Sequence, residues 1–270
     1  WEMLDKTGDV ERIFGIPAAT VRFLEKKGLV KPIRDKRNGY RYFNSVDLNK
    51  LVAYKFYRSF EFSLDESIEI LNLLSHVESV GQIEHHMDVI ARKIAHYQAL
   101  LERLKELKHS FEQVEGMLGQ FRIEDSPDLL LYYNQLNERF VMDKLQREVT
   151  LEWLSQMPLI QLALYIPREM VPGGDAVYFG YAVRTKYREV VERVSRLPLT
   201  RRIPPKKSVF TVIKAYDGEH LIELLQPALA FMAERNLVLD GDVIGWIIHE
   251  NEDARGLVRY FEVWLPVAQG

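Results

Sequence analysis

Cysteine is absent from the 270 residues. Its absence excludes disulfides, thiolate metal sites and a thiol redox switch. No apolar run approaches the roughly 20 residues that a membrane-spanning helix needs. No basic-then-apolar leader opens the chain, so neither a secretory signal nor a membrane partner is expected, and a cytoplasmic location fits. Trp1 as first residue points to a trimmed or tag-derived start. A Ser-His-Asp set, a metal motif and a phosphate loop are also missing. His85 and His86 are neighbours on a helix and point about 100° apart, so they do not form a ligand pair. His220 and His249 stand apart and fit loop or strand-end positions. No cofactor, no metal and no enzymatic role are therefore expected.

Net charge is also small, at −3, but it is unevenly spread. Between Arg12 and Arg58 stand twelve basic and three acidic residues, a balance of +9, which leaves −12 for the rest of the chain. One strongly basic module in an acidic chain suits phosphate neutralisation by that module.

The pattern inside the basic stretch is that of a winged helix-turn-helix. Asp9–Phe14 reads as a short helix stopped by Gly15. Pro17 starts a second helix over Ala18–Lys27, and Gly28 ends it. On that helix Val21 and Leu24 face inward, joined by Leu29, while Thr20, Arg22 and Lys26 face out. Asn38-Gly39 is a tight-turn signal between two strand-like pieces, which makes a wing. Lys36, Arg37 and Arg41 flank its tip, and Tyr40 and Tyr42 lie on its return strand. Ser45–Asp47 opens a third helix, and Ser63-Leu-Asp-Glu66 is a capping box for a fourth.

A long helix follows, about Ile83–Leu118. Its apolar positions (Ile83, Met87, Ile90, Ile94, Tyr97, Leu101, Leu104, Leu107, Phe111, Val114, Leu118) step mostly by alternating fours and threes, a heptad seam. The extra step of three at Leu104–Leu107 overwinds it locally. Such a seam needs a partner helix, and the symmetry of DNA half-sites favours a second copy over packing within its own domain. Gly116 and Gly119 mark its end.

Beyond about Phe121 the texture changes. Strands are expected at Leu129–Tyr133, Leu159–Ile166, Ala176–Val183, Ser208–Tyr216, Val243–His249 and Arg259–Val267. Helical or connecting stretches are expected at Met142–Met157, Tyr187–Val194 and Glu219–Glu234, with a turn at Pro172-Gly173-Gly174. Two strand–helix–strand units imply a pseudo-repeated α+β domain on an antiparallel sheet. The expected division is 1–82 for the winged helix-turn-helix, 83–119 for a coiled-coil dimerisation helix and 120–270 for the α+β domain.

Here the residues carry a family likeness. GDVERIFGIPAATVRFLEKKGLVKP, RNGYRYFN (Arg37–Asn44) and FEFSLDE (Phe60–Glu66) resemble the helix-turn-helix, wing and following helix pair of MerR-family transcription regulators. Val209–Glu234, with its strand–YDG–helix order, and YFEVWLPV (Tyr260–Val267) resemble the GyrI-like ligand-binding domain. Together they are similar to the multidrug-sensing, BmrR-like branch. The resemblance implies a homodimer that binds double-stranded promoter DNA. It further implies distortion of an overlong spacer so that RNA polymerase engages, and activation when a small lipophilic effector is bound. The chain departs from the family in two places. Phe23 and Leu24 follow Arg22 where the family has two aromatics, and neither can donate a hydroxyl to phosphate. Glu61 stands where the family has glycine. The metal- and redox-sensing branches need cysteines that this chain lacks.

For DNA, the candidates are Thr20, Arg22, Phe23 and Lys26 on the second helix, Arg37, Tyr40 and Arg41 on the wing, and Lys55 and Arg58 as a second wing. Arg22 suits either a bidentate contact to guanine or a phosphate clamp. Tyr40 suits either DNA contact or wing packing. For the effector, the closing strand puts Tyr260, Glu262 and Trp264 on one face and Phe261, Val263 and Leu265 on the other, which is core. If the first face meets solvent, Glu262 is an ordinary surface residue. If it meets a concavity, it is a negative charge in an aromatic box, suited to a lipophilic cation. GyrI-like domains have an acid at the matching position. A buried Glu262 without ligand is expected to hydrogen-bond a tyrosine. Tyr165, Tyr181 and Trp246 are the further wall candidates. The rival readings are a GyrI-like hydrolase of small molecules and a peptide- or protein-interaction module.

Overall fold

The computed structural model describes residues 5–141, 143–171 and 173–270. Trp1, Met142 and Pro172, on which parts of the expectations above fall, lie outside the described residues. The chain divides into two compact units, 1–95 and 96–270.

The first unit begins with β1 (Asp5–Lys6), α1 (Thr7–Phe14) and α2 (Ala18–Lys26). Gly15 takes φ 62° and lets α1 turn into α2. The wing is β2 (Ile33–Arg34) and β3 (Arg41–Phe43), paired antiparallel with Ile33 opposite Tyr42. The expected Asn38-Gly39 tip closes it, with Gly39 at φ 72°. α3 (Ser45–Ser59) is capped by Asn44, and α4 (Leu64–Asn72) by the expected Ser63/Glu66 box. Val10, Val21, Leu24, Leu29, Phe43 and Leu51 form the core of the unit.

α5 (His76–Met117) is 42 residues long and belongs to both units. It starts seven residues before the expected Ile83. The reason is a second capping box: Ser75 N donates to Glu78 Oε2 at 2.8 Å, and Glu78 N donates to Ser75 Oγ at 3.3 Å. Along the seam Ile83, Met87, Ile94, Tyr97, Leu101 and Leu104 are exposed, whereas Val114 is buried.

The second unit contains β4 (Arg122–Asp125), β5 (Leu129–Leu136), β6 (Arg139–Phe140), α6 (Lys144–Leu154), β7 (Gln161–Ile166), β8 (Tyr178–Arg184), α7 (Arg188–Val194) and β9 (Arg201–Ile203). There follow β10 (Lys207–Tyr216), α8 (Gln226–Ala233), β11 (Leu237–Leu239), β12 (Val243–Asp253) and β13 (Gly256–Gln269). The sheet order is β4-β10-β13-β12-β7-β8-β5-β6, with β9 on β5 and β11 on β13, and the pairings are antiparallel. The expected repeat is present as two β-α-β-β halves, β5-α6-β7-β8 and β10-α8-β12-β13, that meet at the β7–β12 pair. α8 begins later than the expected Glu219. Pro227 sits in its first turn, where its missing N–H does no harm, and Glu219 instead accepts from Tyr216 N at 2.8 Å.

One sheet face packs on α6, α7 and α8. The opposite face gathers Tyr165, Phe210, Ile244, Trp246 and Trp264 against Val114, Met117 and Leu118 at the end of α5. Gly245 allows β12 and β13 to approach closely: a Cβ there would stand 2.4 Å from the Glu262 carbonyl oxygen. Among the described residues no helix is long and apolar enough to cross a membrane.

Candidate DNA interface and buried acidic site

The basic surface sorts into open and committed side chains. Arg22 and Lys26 project from α2 and are exposed, Thr20 is half-buried, and the Lys27 ammonium lies 5.4 Å from the Phe23 ring centroid. Arg37 and Tyr40 are exposed at the wing, with Lys6 5.2 Å from the Tyr40 ring centroid. Three expected contacts are already engaged. Arg41 Nε donates to Glu25 Oε2 at 2.6 Å, while Arg34 Nη2 donates to Glu25 Oε1 at 2.7 Å, so one α2 carboxylate ties both wing strands to the helix. Lys55 Nζ donates to the Phe14 carbonyl at 2.6 Å, and Arg58 Nη1 donates to the Phe62 carbonyl. Arg41, Lys55 and Arg58 thus also hold the unit together, each with a donor already bonded within it. Burial raises the Glu25 pKa, but the hydrogen bonds and charges of Arg34 and Arg41 outweigh it and leave the carboxyl below its ordinary 4.5.

Glu61 takes a left-handed backbone at φ 70°, and its side chain accepts from Lys93 Nζ at 2.6 Å. His86, from α5, meets the same turn: its Nε2 lies 2.7 Å from the Phe60 carbonyl oxygen and its ring stacks on Phe62.

In the second unit Glu262 is 2% exposed. Register places Trp246 directly opposite it. Trp246 Nε1 donates to Glu262 Oε2 at 2.6 Å, and Gln113 Nε2, from α5, donates to Oε1 at 3.1 Å. The expected tyrosine partner is therefore replaced by an indole and an amide. Among the described residues no Lys, Arg or His pairs with this carboxylate. The Trp264 ring lies 4.5 Å from that of Trp246, and its Nε1 donates to Glu124 Oε1 at 2.9 Å. Tyr260 borders the cluster and stacks on His249. Arg184 lies over the outer side of Trp246, 4.9 Å from the ring centroid, and its Nη1 reaches Glu106 of α5 at 3.2 Å.

Tyr165 shares the sheet face but is fixed by polar partners. Its hydroxyl donates to Asp242 Oδ2 at 2.5 Å and accepts from Arg201 Nη2 at 3.2 Å. Burial, reinforced by the bond to Asp242, pushes its pKa up to about 12. Tyr181 is a correction. It pairs with Leu162 across the sheet and points to the other face, stacked on Tyr132 in the core below α6. Strand alternation separates it from Tyr165. The two described surface cavities lie elsewhere. One, of about 450 Å³, is lined by Leu145, Val149, Leu151 and Leu197, and one of about 130 Å³ by Asp175, Val177, His220 and Ile222. Glu262 is covered by its own aromatics and by Gln113.

Sequence reading missed Gln113, Arg184 and Glu124. Each belongs to the site only through a distant pairing, and none stands in a motif.

Helix, turn, helix and paired wing, with exposed cations on the second helix, define a DNA-binding module. Residues 6–74 match the profile of the MerR HTH family regulatory protein. The chain is 33% identical over 112 residues to the HTH-type transcriptional regulator CueR of Escherichia coli O6:H1 (strain CFT073), covering 42% of this chain and 74% of that protein. It is 29% identical over 82 residues to AdhR of Bacillus subtilis (strain 168), covering 30% and 57%. The chain belongs to the MerR family and is a DNA-binding transcription regulator. Among solved structures, that of EcmrR in an EcmrR–DNA complex overlaps 98% of this chain and all of that one. The identity is 16% and the TM-score 0.38.

Proposed function

We propose that this regulator works as a homodimer of the multidrug-sensing, BmrR-like branch, with a GyrI-like effector domain over 120–270. It binds a promoter duplex through residues 1–82 and pairs along the seam of 83–119. It distorts the spacer and lets RNA polymerase fire when a lipophilic cation occupies the Glu262 site. The observation that carries this reading is a carboxylate buried between two tryptophans with neutral donors only. A buried charge is costly unless it is paired, so the site favours any cation that reaches it. Trp246, Trp264 and Tyr260 would add cation–π attraction of roughly 0.5–2 kcal/mol each.

On the DNA side, Arg22, Lys26, Arg37 and Tyr40 are the contacts best supported by exposure, with Thr20 and Phe23 at the rim. Arg41, Lys55 and Arg58 contribute by shaping the module and by their long-range charge. The exposed apolar residues from Ile83 to Leu104 support pairing of two α5 helices.

A thermal-shift screen of the full chain against cationic, neutral and anionic aromatic compounds tests the effector class. Cations are expected to raise the midpoint in proportion to concentration over Kd. Stabilisation by anions or neutral compounds alone would remove the cation reading.

A further inference from the structure

Gln113 supplies the second donor to the Glu262 carboxylate. Its amide reaches Glu262 Oε1 at 3.1 Å, while Trp246 serves Oε2. The end of α5 that carries it is seated on the sheet by several contacts. Val114 is buried, and the Phe111 ring packs edge-on to His249 at 5.2 Å. Thr211 Oγ1 donates to the Gln120 carbonyl at 2.8 Å. Two turns upstream, on the same helix face, Glu106 takes Arg184 at 3.2 Å and Lys186 at 2.6 Å. Arg184 in turn lies over Trp246. One helix is therefore tied to the acidic site twice, directly by Gln113 and through Glu106–Arg184–Trp246.

We infer that Gln113 is a resident stand-in for the effector, and that the ligand class is an aromatic cation bearing N–H groups, such as a protonated amine, amidine or guanidine. This rests on the reading of the Glu262 site as the effector site. Gln113 gives Oε1 a hydrogen bond but no charge. A ligand that displaces it must return the hydrogen bond, because a buried oxygen left without a donor carries the full desolvation cost. A quaternary cation neutralises the charge but leaves Oε1 without a donor, so it binds more weakly than an N–H cation of the same body. Entry of the ligand withdraws Gln113 and releases the last turns of α5 from the sheet. The ligand's preference between the two states of the helix is what gives it leverage on the regulator.

The test uses three biphenyl probes on the full chain by calorimetry: 4-biphenylamidinium, trimethyl(4-biphenylyl)ammonium and the neutral 4-biphenylcarboxamide. Wild type is expected to bind the amidinium about tenfold or more tighter than the quaternary cation. Gln113→Met keeps the length of the side chain but removes the donor, and is expected to tighten amidinium binding about tenfold. Gln113→Ala serves as the second variant. Amide exchange over residues 111–118 is expected to rise on amidinium binding to wild type and to be raised already in Gln113→Met.

Unchanged affinity in both Gln113 variants, together with loss of binding in Glu262→Gln, overturns the stand-in role and leaves the effector site intact. Equal affinity of wild type for the two cations overturns the N–H requirement. Absence of binding of either cation to wild type and to Gln113→Met overturns both the inference and the effector-site reading beneath it.

Discussion

Replacing Glu25 by Gln isolates the clip between the second helix and the wing. The carboxylate is 19% exposed, Arg41 is 26% exposed and Arg34 is 61% exposed. The Arg34 pair is well solvated and is worth about 0.2–1 kcal/mol; the Arg41 pair, more sheltered, lies near the upper end of that range. The clip then supplies about 1–2 kcal/mol to a unit that spans residues 1–95. At about 4–8 °C per kcal/mol for a domain of this size, Glu25→Gln should lower its midpoint by roughly 4–16 °C. The pH dependence follows from the lowered Glu25 pKa. A group whose folded pKa is depressed contributes its full stability above the unfolded value, here about 4.5, and loses it as pH falls through the lower folded value. Wild type should therefore lose stability between about pH 5 and the acid side of that range, and Glu25→Gln should lose less of it. Hydrogen exchange of peptides covering residues 18–43 at pH 7 and at descending pH reads both effects in the full chain. Equal wing protection in the two proteins at pH 7, or equal acid slopes, would refute the clip.

Three other outcomes are expected. Glu61→Gly relieves a left-handed backbone at φ 70° and should raise the midpoint of the first unit by a few degrees, despite loss of the Lys93 pair; a lower midpoint in differential scanning would show that the pair dominates. Arg22→Ala should abolish site-specific footprinting on the promoter while sedimentation still reports a dimer, and an intact footprint would remove Arg22 from the interface. Leu101→Asp puts a charge on an exposed seam position and should give a monomer in sedimentation equilibrium, because a leucine buried in both copies contributes about 3–6 kcal/mol; an unchanged dimer would place the pairing elsewhere.

Local signals in the sequence located the winged module well. The Gly15 stop, the Asn38-Gly39 hairpin and the Ser63/Glu66 box each depend on residues within a few positions, so they are legible without tertiary knowledge. The start of α5 carries the same kind of local signal, since Ser75 and Glu78 form such a box eight residues ahead of the first seam position, Ile83. The β-α-β-β repeat was visible in outline because its strands alternate with helices. The candidate site was legible only in part. Glu262 and Trp264 share a face by the period of two, but Tyr181 was assigned without knowing which face of β8 meets that of β12. Gln113 and Glu262 are 149 positions apart and meet only because α5 lies on the sheet. The commitments of Arg41, Lys55 and Arg58 depend on tertiary partners that a charge count does not reveal.

The most direct test of the account compares wild type with Glu262→Gln, titrating each with 4-biphenylamidinium and with neutral 4-biphenylcarboxamide. The substitution should weaken the amidinium by about tenfold or more, the equivalent of some 1.4 kcal/mol, and leave the carboxamide nearly unchanged. An equal loss for both compounds, or none for either, would contradict a charge-reading site at Glu262.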